Sequence, residues 1–176
     1  MSKINLLPIY KPLFRSDLSE KGIRYVVVTG GRASAKSFHT MTSLANKLTL
    51  PNQVALISRY TMVSAHISVI PEFMSKIEMF GRTKEFHTTK ADVYHKQTKS
   101  RAMFRGIKTS SGDQTAKLKS IEGLNLFVVD EAEELLDFDA FDKIDNSIRT
   151  KGADNLVMII KNPSYKDHWV YQRFIK

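Results

Sequence analysis

Cysteine is missing from this chain of 176 residues. Disulfides and thiolate metal sites are therefore excluded, and the absence fits a reducing compartment. No stretch approaches the roughly 18 apolar residues that a membrane span needs, so no membrane partner is expected. The opening Met1-Ser2-Lys3-Ile4-Asn5-Leu6-Leu7-Pro8 is too short and too interrupted for a secretory signal. Acidic residues are the minority sign, 18 against 27 basic ones, which leaves a net charge of +9. That balance favours contact with polyanions such as DNA or RNA.

What is present fits one soluble domain. The length suggests a single core, and an apolar content of 42% is enough to build it. Charge is segregated along the chain. Residues 82–119 carry ten Lys or Arg against three acids, and residues 120–145 carry nine acids against one lysine. The plain reading is two solvated faces.

The organising stretch is Val26-Val27-Val28-Thr29-Gly30-Gly31-Arg32-Ala33-Ser34-Ala35-Lys36-Ser37. It reads as a buried strand, a glycine turn and a helix start. Such a turn aims backbone N–H groups inward, and the helix terminus adds partial positive charge. A lysine at position 36 reaches the β- and γ-phosphates of a nucleotide, and the Ser37 hydroxyl suits Mg²⁺. The phosphate-loop template has glycine where this chain has Ala35, and the added Cβ narrows the approach of phosphate. An ordinary strand-to-helix turn is the competing reading.

Residues 1–22 form a lead-in without a clean period, broken by Pro8 and Pro12. Its aromatic side chains read as core packing, with a place beside a nucleotide base as the alternative. The run from Arg24 to Thr29 predicts a strand buried on both faces, as in a parallel sheet covered by helices. A helix is expected from Lys36 to Leu50, ended by Pro51, and a second buried strand from Gln53 to Ser58. Together they make a βαβ unit.

The period predicts a helix from Met62 to Phe80 with Ile67, Ile70, Phe73, Met74, Ile77 and Phe80 on one face. Pro71 marks a kink or a break in it. Residues 92–95 and 101–105 read as a hairpin around a polar turn. His87 and His95 lack a third ligand at useful spacing, so no metal is expected there. Residues 109–120 read as a mobile loop.

The run Leu124 to Val129 ends in Asp130-Glu131-Ala132-Glu133-Glu134. Ligands of open parallel sheets bind outside the carboxyl ends of strands, which places these acids beside the glycine loop. Asp130 suits the Mg²⁺ side, and Glu131 suits polarising an attacking water. Acids favoured by a helix N-terminus are the alternative. An amphipathic helix is expected from Glu133 to Ile148, with Asp137, Asp139, Asp142 and Asp145 mostly on its wet face. Leu156 to Ile160 is a further strand leading to Lys161-Asn162-Pro163. Asn162 could sense a γ-phosphate or simply form a loop. Residues 167–175 close the chain as a short helix.

This ordered set resembles the large terminase subunit of tailed bacteriophages, in its N-terminal ATPase part. The residues that carry it are Gly30 through Ser37, Phe127 through Glu134, Ser147-Ile148-Arg149, Asn162-Pro163 and His168-Trp169. It covers roughly residues 21–176. The resemblance implies an α/β P-loop NTPase (RecA-like, ASCE class) with a mainly parallel central sheet flanked by helices. It implies ATP and Mg²⁺ as cofactors, and an ATPase that drives double-stranded DNA into a procapsid.

By the same resemblance, Gly30, Gly31, Arg32, Ala33, Ser34, Ala35, Lys36 and Ser37 bind nucleotide. Ser37 and Asp130 hold Mg²⁺. Glu131 is the catalytic glutamate, assisted by Lys36 and by Arg32, the arginine of the family's phosphate loop. Asn162 falls in the coupling motif, and Arg149 stands where the family also carries arginine. The implied partners are duplex DNA, the portal of the procapsid, the small terminase subunit and further copies in a ring, in the cytoplasm of a bacterial host. A neighbour in that ring could supply an arginine finger, for which the basic stretch 82–119 holds candidates. The chain reads as a lead-in over 1–22 and a motor domain over 23–176, without the family's nuclease half. Three other readings stay open: a helicase-like ATPase, a P-loop kinase, and a basic DNA-binding module without enzymatic activity.

Overall fold

A computed structural model describes residues 4–18, 20–109, 112–113 and 115–176. The strands are β1 (Tyr25–Thr29), β2 (Val54–Thr61), β3 (Phe86–Thr88), β4 (Asp92–His95), β5 (Arg101–Thr109), β6 (Gly112–Asp113), β7 (Leu126–Val129) and β8 (Leu156–Lys161). The α-helices are α1 (Lys36–Lys47), α2 (Met62–Ser64), α3 (Ile70–Met79), α4 (Thr115–Leu118), α5 (Phe138–Asp145) and α6 (Trp169–Phe174).

The strands form one sheet in the order β1-β8-β7-β2-β5-β4-β3, with β6 added to β5. β1, β8, β7, β2 and β5 run parallel, whereas β4, β3 and β6 are antiparallel additions. This is the α/β architecture expected. β7 and β8 are buried along their whole length, as their unbroken apolar runs require. One face packs Met41, Leu44 and Leu48 around α1, together with Phe73 and Ile77 of α3. The other face packs Phe141 and Ile144 of α5 with Trp169 and Val170 of α6. Each large side chain so buried contributes roughly 1.5–3 kcal/mol.

Several expectations are corrected. β1 is not buried on both faces: it is an edge strand, and only Val28 is fully covered. The lead-in supplies that cover. Residues Pro8–Phe14 form a 3₁₀ helix whose Tyr10 and Leu13 cluster with Val28. This is core packing, and Tyr10 is not a free platform for a base. β1 and β2 are parallel members of one sheet, but β8 and β7 lie between them.

The helix expected over 62–80 is interrupted by a π-helical turn, Ala65–Val69. Pro71 explains it. Proline has no N–H to give to the Ile67 carbonyl, and the Ile70 N–H bonds the Ala65 carbonyl in a widened turn. The widening turns Ile67 outward, where it is 75% exposed. The helix expected over 133–148 is also two pieces. A 3₁₀ turn, Ala132–Glu134, is followed by a break, and α5 restarts where the Asp137 side chain accepts from the Asp139 N–H. α1 stops at Lys47, ahead of Leu50. The loop expected over 109–120 lies partly outside the described residues, and its described part contains β6 and α4. β3, which pairs with β4, is an additional strand.

One glycine is required by close approach. A Cβ on Gly106 would stand 2.4 Å from the Met62 N and 2.9 Å from the Thr61 carbonyl carbon. β5 therefore passes directly beneath the start of α2.

Candidate functional site

The glycine turn and the acid pair meet as their sequence order suggests. β1 ends at Thr29 and opens into residues 30–35, and α1 begins at Lys36. β7 ends at Val129, two strands away, and delivers Asp130 and Glu131 to the same edge of the sheet. A cavity of about 340 Å³ lies between them. Its wall includes Arg32 through Ser37, Asp130, Glu131 and Asn162.

The loop backbone is unusual. Ala33 and Ala35 both adopt left-handed conformations at φ 61°. An L side chain there crowds its own carbonyl, at roughly 1–2 kcal/mol per residue. Ala35 thus takes the backbone shape that glycine would adopt freely. A Cβ on Gly30 would stand 2.9 Å from Ser34 Oγ, whereas nothing lies within 4 Å of one on Gly31.

Lys36 is curled into this loop. Its Nζ lies 2.7 Å from the Gly30 carbonyl, 2.8 Å from that of Gly31, 3.2 Å from Ser34 Oγ and 3.1 Å from Asn162 Oδ1. An ammonium has three protons, so these four acceptors share them. Asn162 follows β8, the strand between β1 and β7, and so reaches both sides. Its Nδ2 and backbone N–H donate to the two carboxylate oxygens of Glu133, at 2.6 and 3.1 Å.

Asp130 is buried, and its carboxyl titrates at about 6. Burial is the main cause, with Glu72 and Glu133 adding repulsion and Arg59 opposing them. Arg59, at the carboxyl end of β2, holds both acids: Nε lies 3.1 Å from Asp130 Oδ2, and Nη2 pairs with Glu131. Its Nη1 donates to Ser68 Oγ at 2.8 Å in the π-helical turn. Glu131 is left-handed, at φ 52° and ψ 48°, a strained shape for a glutamate. Glu72 of α3 also lines the cavity, with its pKa raised chiefly by burial.

Arg59, Glu72 and Glu133 carry site roles that the motif reading does not assign. The only signal for Arg59 is a charge that ends an apolar run. Register supplies the rest, since Ser58 pairs with Val129 and the next residues are Arg59 and Asp130. Arg149 is not brought to the cavity. It follows Ile148, whose carbonyl accepts from Arg24 just before β1, at the opposite end of the sheet. Asp145 is likewise not on a wet face, because it is buried against Arg24 (2.7 Å) and the Tyr25 hydroxyl (2.6 Å). Trp169 packs on Phe138 and Phe141 and donates to the Leu135 carbonyl.

The oxygen donors fit a hard cation. Ser37 and Asp130 both line the cavity and offer one oxygen donor group each. That suits Mg²⁺, which takes one or two protein oxygens and completes its shell with phosphate and water.

Parallel strands, a glycine loop leading from the first of them into a helix, and paired acids at the end of a strand two places away define a P-loop NTPase fold. The sequence profile of the phage terminase large subunit family matches residues 23–176, and the chain belongs to that family. The PBSX phage terminase large subunit of Bacillus subtilis (strain 168) is 27% identical over 153 residues, covering 86% of this chain and 34% of that protein. The large terminase of a thermophilic bacteriophage, in complex with ADP, superposes with a TM-score of 0.70 at 14% identity, over 95% of this chain and 40% of that one. The ATPase domain of the Thermus phage P74-26 large terminase gives 0.59 at 20% identity, over 80% and 60%. The chain thus spans about a third of the curated relative's length.

Proposed function

We propose that this chain is an ATP-hydrolysing motor domain that drives double-stranded DNA into a procapsid. The observation that carries the reading is the cavity framed by Lys36 on one side and by Asp130 and Glu131 on the other. The ADP complex of the thermophilic phage's terminase supports nucleotide binding here by family relationship. The net charge of +9 suits a DNA partner. Portal, small subunit and a ring of copies complete the proposal, by family membership.

Phosphoryl transfer is mostly a matter of positioning and charge stabilisation. The N–H groups of the loop and the α1 terminus would receive the phosphates. Lys36 would exchange its loop carbonyls for β- and γ-phosphate oxygens. Arg32, exposed at the rim, would add charge at the γ-phosphate. Glu131, released from Arg59, would orient the attacking water and accept its proton. Asn162 would register the γ-phosphate through its contact with Lys36 and pass the change to Glu133. Ser37 and Asp130 would hold Mg²⁺, which neutralises charge on the β- and γ-oxygens when bound.

The left-handed alanines favour one second reading, a DNA-binding module whose loop no longer takes nucleotide. Phosphate release at rising protein concentration, compared with Glu131→Gln, separates the two. The motor reading expects turnover from the wild type alone, with the variant slowed by roughly 10²-fold or more yet still binding nucleotide. Specific activity that climbs with concentration would point to a residue supplied by a neighbouring copy. Wild-type protein that neither binds nor hydrolyses ATP would overturn the motor reading.

A further inference from the structure

The lead-in segment touches the glycine loop directly at one carbonyl and, through His39 of α1, at the next. The Tyr10 hydroxyl donates to the Ser34 carbonyl at 2.7 Å. Nδ1 of His39, one turn into α1, donates to the Ala35 carbonyl at 2.8 Å. Nε2 of the same ring accepts the Leu7 N–H at 3.1 Å. A carbonyl cannot donate and an amide N–H cannot accept, so the ring is neutral with its proton on Nδ1. The Tyr10 and His39 rings stack at 4.4 Å with 22° between planes. Both residues are buried, and the segment is fixed further along where Ser43 Oγ donates to the Leu13 carbonyl at 2.6 Å.

These carbonyls belong to the part of the loop that carries the two left-handed alanines. A planar trans peptide points its N–H away from its C=O. Fixing the Ser34 carbonyl therefore fixes the Ala35 N–H, and fixing the Ala35 carbonyl fixes the Lys36 N–H. Glycine at position 35 would adopt this shape without crowding, but alanine relaxes from it unless it is held.

We propose that Tyr10 and His39 are positioning residues that hold the phosphate loop open for nucleotide and offset the alanine at position 35. This deepens the nucleotide-binding reading and rests on it. Neither residue touches the substrate; both act through the loop backbone.

The test uses the whole chain and MgADP as probe, with titration calorimetry on wild type, Tyr10→Phe, Ala35→Gly and the double variant. Tyr10→Phe should weaken MgADP by about 5–10-fold, the share of one hydrogen bond. In the Ala35→Gly background the same change should cost less than about twofold, because glycine needs no holding. His39→Phe, which keeps the stack but loses both ring nitrogens, should repeat the pattern and covers the case where Tyr10→Phe folds poorly. Equal losses in both backgrounds, or no loss in either variant, would overturn the proposal. Hydrogen exchange on nucleotide-free protein separates its failure from that of the nucleotide reading. Faster exchange at the Ala35 and Lys36 amides in Tyr10→Phe supports the holding role of Tyr10 even if no chain binds MgADP, and unchanged exchange overturns it.

Discussion

Glu133 grips Asn162 with both carboxylate oxygens, and Asn162 in turn accepts from Lys36. The acid-bearing turn after β7 is thereby tied to Lys36 at the end of the glycine loop through a side chain that belongs to neither. Glu133→Ala would free Asn162 to rotate. A misplacement on the order of 1 Å near reacting groups costs roughly 10²-fold. We expect ATP turnover to fall about 10–100-fold while the Kd for ADP stays within about threefold. Steady-state kinetics beside calorimetry would check this, and an unchanged kcat would mean that the relay is only structural.

Arg59→Ala should destabilise the fold. Asp130 would be left buried without its cation, and breaking such a pair costs about 3–5 kcal/mol. Urea unfolding of the metal-free protein reads this directly. A loss under about 1 kcal/mol would show that Arg59 contributes little to stability.

The raised pKa of Asp130 has a definite sign. The folded carboxyl titrates at about 6, above its ordinary 3.8, so the folded chain binds more protons than the unfolded chain between these values. Its contribution to stability is full below the unfolded value and is lost as pH rises through about 6. In metal-free buffer the wild type should gain about 1 kcal/mol relative to Asp130→Asn as pH falls from about 7 to about 5. Parallel pH profiles for the two proteins would refute the assignment.

How much of this is legible in the sequence depends on where the information lies. The glycine loop, the acid pair and the strands are local patterns, and they are readable. Arg59 and Glu133 are not assigned from sequence, because their roles come from strand register and from a turn rather than from spacing. The broken helix after Glu131 carries no proline or glycine, and Asp137 as a cap is its only sign. The π-helical turn is half legible: Pro71 signals a disturbance, but not that a wider turn absorbs it and exposes Ile67. Tyr10 reads correctly as core, yet nothing local shows that its hydroxyl reaches Ser34.

Gly106→Ala is a stability prediction at the β5 position paired with Arg59. The new methyl would meet backbone at 2.4 Å, with no side chain able to yield. Overpacking of this kind costs typically about 1–3 kcal/mol. Thermal unfolding should show a clearly lowered Tm, and a Tm equal to wild type would mean that β5 and the start of α2 can part freely.

The position of β8 sets the gauge of the cleft. It is hydrogen-bonded to β1 on one side and to β7 on the other. The two jaws of the cleft therefore stand two strand spacings apart, about 10 Å. Neither can slide past the other without shearing a ladder. Any change across the cleft then falls to side chains and loops, as in a vice whose bed is cast in one piece and whose grip changes only at the inserts.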